Sequence, residues 1–197
     1  MTQDLLINSL QMIGAIASLA YLFLLMKERV ACWPFGIAGS LISIYLFMHT
    51  KLYSEAILYG FYAGMGVWGW LRWHRREAVQ ENLIIVHSLQ FHLVAITLTC
   101  LAALGLGYGM SSVTDAQRPL IDAFTTAFSF FATYLQVAKV LESWLYWIVI
   151  NAVAIWLYQD RALDIYAVLI AVYAVLSVCG FLAWRRSYQV QQVAAAL

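Results

Sequence analysis

Charge is scarce in this chain: only 11% of its 197 residues are Asp, Glu, Lys or Arg, against about 25% in an ordinary soluble domain. A soluble globular fold is excluded, because the 64% of residues that are hydrophobic could not be hidden behind so little polar surface. Neither sign of charge prevails, since 11 Lys and Arg face 10 Asp and Glu. That balance excludes a basic nucleic-acid binder and an acidic tail. Cysteine is rare too. Cys32, Cys100 and Cys179 stand alone in apolar runs, without C-x-x-C or histidine at metal-ligand spacing, so buried free thiols are expected and neither metal nor cofactor is. No G-x-x-x-x-G-K-[ST] motif is present, so the chain is not expected to hydrolyse ATP. The lack of a nucleophile–base pair and of paired carboxylates weighs against a membrane-embedded enzyme. Residues 1–10 hold no Lys or Arg, unlike a signal peptide, and the first span is expected to be retained.

What is present is a set of seven long uncharged stretches: Leu5 to Met26, Val30 to Thr50, Ala56 to Leu71, Asn82 to Thr114, Ala123 to Ala138, Ser143 to Gln159 and Ile165 to Trp184. A bilayer core takes about 20 residues of helix, so each stretch predicts one transmembrane helix. The fourth stretch is too long for one span, and its first third is polar; the spacing predicts a helix over about 90–110 preceded by a loop or interfacial turn. Pro34 and Pro119 fall just inside predicted helix starts, where a missing N–H does no harm. The fold class is an all-α integral membrane protein in one domain, with no room for a separate soluble one.

Lys and Arg divide unevenly between alternate loops. One side holds Lys51, Arg118 and Arg161; the other holds Lys27, Arg29, Arg72, Arg75, Arg76, Lys139, Arg185 and Arg186. The positive-inside rule places the N-terminus outside and the C-terminus in the cytoplasm, as a multi-pass protein of the cell inner (plasma) membrane.

The chain also repeats. Shifting Trp33–Arg75 by 111 positions onto Trp144–Arg186 matches 14 of 43 positions without a gap, among them Trp33/Trp144, Tyr62/Tyr173, Gly69/Gly180, Trp73/Trp184 and Arg75/Arg186. Spans one to three map onto five to seven and leave span four as a connector. The expected architecture is three plus one plus three, with parallel three-helix repeats over about 5–76 and 118–186 joined by the helix at about 90–110. Repeat interfaces of this kind hold substrate sites in transporters.

Helical spacing then selects candidate site residues. On span six Trp144, Trp147, Asn151 and Tyr158 share an arc of about 60°. On span five Asp122, Thr125, Ser129, Thr133 and Gln136 form a polar stripe that cannot face lipid cheaply. On span three Glu55, Tyr59, Tyr62 and Gly66 share a face, matched on span seven by Tyr166, Ile170, Tyr173 and Ser177. Each has a plainer reading: hydroxyls bond to their own helix or glue helices together, and Trp33, Trp70, Trp73 and Trp184 read as an interfacial belt. Trp144, Asn151 and Gln136 are open to either role.

The run KVLESWLYWIVIN, Lys139 to Asn151, with its Trp-x-x-Trp-x-x-x-Asn core, resembles the span-six signature of the PnuC-type vitamin transporters. Phe35-Gly36, Leu52-Tyr53, Trp68-Gly69-Trp70 and Pro119 to Asp122 resemble further landmarks of that family, and the resemblance covers nearly the whole chain. It implies parallel repeats like those of the SWEET facilitators, trimers in membrane lipid, and facilitated diffusion of a B-type vitamin that a cytoplasmic kinase traps by phosphorylation. It carries over Trp144, Trp147 and Asn151 as substrate contacts. Nicotinamide riboside is the commonest substrate in the family and thiamine the alternative. Where nicotinamide riboside members tend to show amides on span three, this chain has Tyr59 and Gly66. Both vitamins are flat aromatic cations with hydroxyls, suited to Trp and Tyr faces, so the residues leave both open. A sugar facilitator is a more distant reading. Glu55, Asp122 and Asp164 lie in the outer turns of their helices rather than at mid-membrane, which favours uniport over ion coupling.

Overall fold

The computed structural model describes residues 2–49, 53–78, 83–113, 119–160 and 164–196. Lys51, Leu52, Arg118 and Arg161, named above, lie outside them, as do the side chains of Tyr158, Asp164 and Tyr166. The described residues form seven helices: α1 (Thr2–Met26), α2 (Cys32–His49), α3 (Tyr53–Ala78), α4 (Leu89–Val113), α5 (Pro119–Val137), α6 (Ser143–Asp160) and α7 (Asp164–Ala195). Among them α1, α2, α4, α5 and α7 are long and apolar enough to cross a membrane, and α6 offers a shorter apolar stretch, Ser143–Leu157. Helix α3 keeps Arg75 and Arg76 to its last turn and spans 26 residues, about 39 Å at 1.5 Å per residue, against a hydrocarbon core of about 30 Å. The chain is an all-helical multi-pass membrane protein.

The helix starts follow local chemistry. Pro119 opens α5, and Pro34 is the third residue of α2, positions where the helix has no use for the missing N–H. Glu55 in α3 and Asp122 in α5 sit in first turns, where the helix dipole favours an anion. Helix α7 runs past Trp184 to Ala195 because residues 185–195 contain neither Gly nor Pro to stop it.

The chain divides into two compact units, Met1–Leu83 and Ile84–Leu197. In the first, α2 packs against both α1 and α3. In the second, α4 packs on α5, α5 on α6 and α6 on α7. The two units are built alike at the offset of 111. Glu28 (φ 57°) and Lys139 (φ 60°) both adopt the left-handed conformation just past α1 and α5. Around each the same Schellman bonds form: Glu28 N–H to Leu25 O at 2.9 Å and Arg29 N–H to Leu24 O at 3.0 Å, matched by Lys139 to Gln136 at 3.0 Å and Val140 to Leu135 at 2.9 Å. The turn closes the last carbonyls of one helix and aims the next one back across the membrane.

Both units also bury the same aromatic pair. Trp33 and Trp73 meet edge to face at 5.3 Å and 90°, Trp144 and Trp184 at 5.4 Å and 90°, and all four are at most 1% exposed. The interfacial-belt reading is therefore corrected for Trp33, Trp73 and Trp184, although Trp70, 44% exposed, suits it. The reason is glycine: Gly69 and Gly180 lack the Cβ that would lie 2.5 Å from a ring atom of Trp33 and Trp144, so each indole lies flush against a neighbouring helix. The thiols also divide. All three are free, but Cys179 is exposed on α7 and Cys100 half-buried, because lipid solvates an outward apolar side chain that water would expel.

The segment before α4 is extended rather than helical. Ile85 donates to the Lys139 carbonyl at 3.0 Å and accepts from Leu141 N–H at 2.9 Å, and Ile84 N–H donates to Gln191 Oε1 at 3.2 Å. It straps the turn between α5 and α6 to the long α7.

Candidate functional site

The polar stripe of α5 is buried. Ser129 and Thr133 are each 6% exposed and Gln136 is 2%. Thr133 Oγ1 donates to the Ser129 carbonyl at 2.7 Å, and Thr125 Oγ1 reaches the carbonyls of Ile121 and Asp122 at 3.2 and 2.9 Å. The two hydroxyls thus spend their protons inside their own helix and keep oxygen lone pairs for acceptance.

Asn151 lies near the middle of α6 and is equally buried. Its Nδ2 donates to Ser177 Oγ of α7 at 3.2 Å, and the Ser177 hydroxyl donates to the Tyr173 carbonyl at 2.8 Å. This chain of bonds orients the amide and ties α6 to α7. In membrane proteins such a bond contributes about 0.6 kcal/mol, reaching about 1.7. A double-mutant cycle of Asn151→Ala and Ser177→Ala, read by thermal unfolding in detergent, should give a coupling in that range; strictly additive losses would remove the bond from the account.

One turn before Asn151, the half-buried Trp147 packs against the cluster of Phe128, Ala132 and Ile150. Its Nε1–H is buried without a hydrogen-bond partner, as is that of Trp144. Trp144 itself is wholly buried between Gly180 and Trp184. Within the second unit Trp147 meets the α5 cluster of Phe128 and Ala132, Asn151 and Trp144 are tied to α7, and Ser129, Thr133 and Gln136 are buried along α5. In the first unit Tyr59 and Tyr62 meet edge to face at 5.5 Å, Tyr59 lies 5.3 Å from Phe47, and Glu55 is exposed in the opening turn of α3.

The repeat shows which of these groups the fold itself does not require. At the offset of 111, Asn151, Trp147, Ser177, Thr133 and Gln136 correspond to Ser40, Gly36, Gly66, Leu22 and Leu25. The first unit builds the same turn and the same Trp pair with small or apolar residues at those places. Trp147, Thr133 and Gln136 thus have no like counterpart in the first unit, whereas Ser129 and Trp144 match Ser18 and Trp33, and Asn151 matches the buried Ser40.

A second cluster escaped the sequence reading. His92 Nδ1 lies 3.0 Å from Tyr146 OH, and His92 Nε2 is 3.7 Å from Glu142 Oε1. Glu142, in the turn before α6, and Tyr146, in its first turn, are four apart, a visible spacing, but their pairing with α4 depends on packing that no local pattern reveals. Among the described residues no group of three or more His, Cys, Asp or Glu is placed to hold a metal ion.

Long apolar helices with buried polar faces make a multi-pass membrane protein, and its relatives are transporters. A family model described as "Nicotinamide mononucleotide transporter" matches residues 8–186, and the chain belongs to that family. It is 21% identical, over 172 aligned residues covering 74% of this chain and 72% of the relative, to the nicotinamide riboside transporter PnuC of Escherichia coli (strain K12), and equally to that of Shigella flexneri. Its fold matches the crystal structure of the vitamin B3 transporter PnuC with a TM-score of 0.75 at 19% identity, over 92% of this chain and 83% of that one.

Proposed function

We propose that the chain carries nicotinamide riboside across the cell inner membrane by facilitated diffusion. The observation that carries this reading is the family match across residues 8–186, together with the buried amides of Asn151 and Gln136, which have no amide counterpart in the first unit. Nicotinamide riboside is a flat pyridinium with sugar hydroxyls and an amide. The face of Trp147 suits the cation, while Asn151, Gln136 and the hydroxyls of Ser129 and Thr133 suit the sugar and the amide. Trp144 frames the set, and Glu55, at the outer rim, draws in a cation. We read the triplets α1–α3 and α5–α7 as repeats with α4 as connector, the C-terminus as cytoplasmic, and the working form as a trimer in which each protomer conducts.

Direction then comes from chemistry outside the membrane. A cytoplasmic kinase that phosphorylates the vitamin adds about two negative charges, which an aromatic box cannot compensate, and so removes it from the exchange. With the membrane potential clamped at zero, purified protein in sealed vesicles should equilibrate radiolabelled nicotinamide riboside until inside and outside concentrations match, with the plateau unmoved by a proton or sodium gradient. Enclosing kinase and ATP should prolong uptake. Accumulation of unmodified vitamin under an ion gradient would overturn uniport, and uptake of thiamine in place of nicotinamide riboside would overturn the substrate.

A further inference from the structure

On one face of the last turns of α3 lies an open, basic and aromatic hollow, lined by α3 alone, that the transport reading does not use. Trp68, Leu71, Arg72, Arg75 and Arg76 line a hollow of about 290 Å³. The Arg72 guanidinium lies 5.7 Å from the Trp68 ring centroid, a cation–π distance. At 100° per residue, Trp68, Arg72, Arg75 and Arg76 share an arc of about 100°, with Leu71 at its edge and Glu77 on the far side of the helix. Gly69 and Trp73, which pack on α2 through Trp33, border the arc on the Arg76 side, about 20° and 60° beyond that residue. Among the described residues no carboxylate pairs with Arg75 or Arg76.

The internal repeat shows that folding does not demand this arrangement. At the offset of 111, Trp68, Arg72 and Arg76 become Cys179, Ala183 and Ser187, and only Arg75 keeps a counterpart, Arg186. Helix α7 packs through the same glycine and tryptophan without the cluster. A membrane core of about 30 Å takes up about 20 of the 26 residues of α3. Measured from its first residue, Arg75 and Arg76 fall at the headgroup level and Arg72 at its edge, on the side that the lysine and arginine excess assigns to the cytoplasm. Leu71, 51% exposed, and Trp68, 37% exposed, continue the cleft toward the apolar zone.

We infer that this cleft binds an anionic phospholipid, its phosphodiester held by Arg72, Arg75 and Arg76 and its acyl chains lying along Leu71 and Trp68. Arginine offers a planar fork of donors to phosphate oxygens, and basic pockets at the cytoplasmic face of membrane helices take anionic headgroups. The apolar wall distinguishes a lipid from free phosphate, which would have no use for it.

The test is native mass spectrometry of the full-length protein in mild detergent, titrated with phosphatidylglycerol or phosphatidylcholine of identical chains. The expected result is at least a tenfold preference for one bound phosphatidylglycerol, reduced to near parity in the triple variant Arg72→Gln/Arg75→Gln/Arg76→Gln and kept in Arg185→Gln/Arg186→Gln. Should the triple variant fail to fold, Arg75→Gln alone, at an exposed position, is expected to cut the preference about threefold. Equal retention of both lipids, an unchanged preference in the α3 variants, or an equal loss in the α7 variant would overturn the proposal. Displacement of the lipid by millimolar inorganic phosphate would reassign the cleft to a soluble anion.

Discussion

Replacing Trp147 with alanine is expected to weaken binding of nicotinamide riboside by about 1 to 3 kcal/mol, the range for stacking of a base on an aromatic side chain, or about 5- to 150-fold in Kd. The ring is only half-buried, so part of it stays available, while its other face rests on Phe128, Ala132 and Ile150. That backing holds the indole in one orientation and lowers the entropy cost of stacking. The buried Nε1–H, without a protein partner, is the kind of donor that a bound ligand or water satisfies. Trp147→Phe should therefore lose less than alanine, keeping an aromatic face but not the donor. Calorimetry on purified, monodisperse protein measures both variants. An alanine variant that folds normally and binds with unchanged affinity would assign Trp147 to packing alone.

Gly180→Ala is expected to destabilise the second unit by about 1 to 3 kcal/mol, the usual cost of forcing a methyl group into a filled core. The new Cβ would lie 2.5 to 2.6 Å from three ring atoms of Trp144. That ring cannot yield cheaply, because it is wholly buried and meets the edge of Trp184 at 5.4 Å. Gly69→Ala should do the same to the first unit through Trp33. Thermal unfolding in detergent reads the effect, and Trp144→Phe should partly restore Gly180→Ala by withdrawing the larger ring. Gly64→Ala is the control: nothing lies within 4 Å of its Cβ, and alanine favours helix over glycine by about 1 kcal/mol. Equal melting of all three variants and the parent would mean that the indoles do not pin the helices.

Much of the scaffold was legible from residues alone. Clustered charges placed the helix ends, so that the helix expected over about 90–110 runs as Leu89–Val113. Rare residue types showed the duplication, because coincident Trp and Gly are hard to obtain from apolar bias. Hydrophobicity could not say which side of a helix faces in. In water an apolar face seeks the core, but in a bilayer lipid solvates it equally well. Trp33, Trp73 and Trp184 were for that reason read as a belt, and Cys179 as buried.

The sequence by itself determined what depends on composition and on spacing along one helix: an all-helical membrane protein of seven helices, the matched residues at an offset of 111, and a polar stripe on α5 too costly to leave in lipid. The tertiary structure decided which groups meet across helices. The pairing of Asn151 with Ser177, of His92 with Tyr146 and of Trp144 with Gly180 joins residues between 26 and 54 positions apart. Such contacts depend on the rotation and depth of one packed helix against another, and periodicity within a single helix carries no information about either.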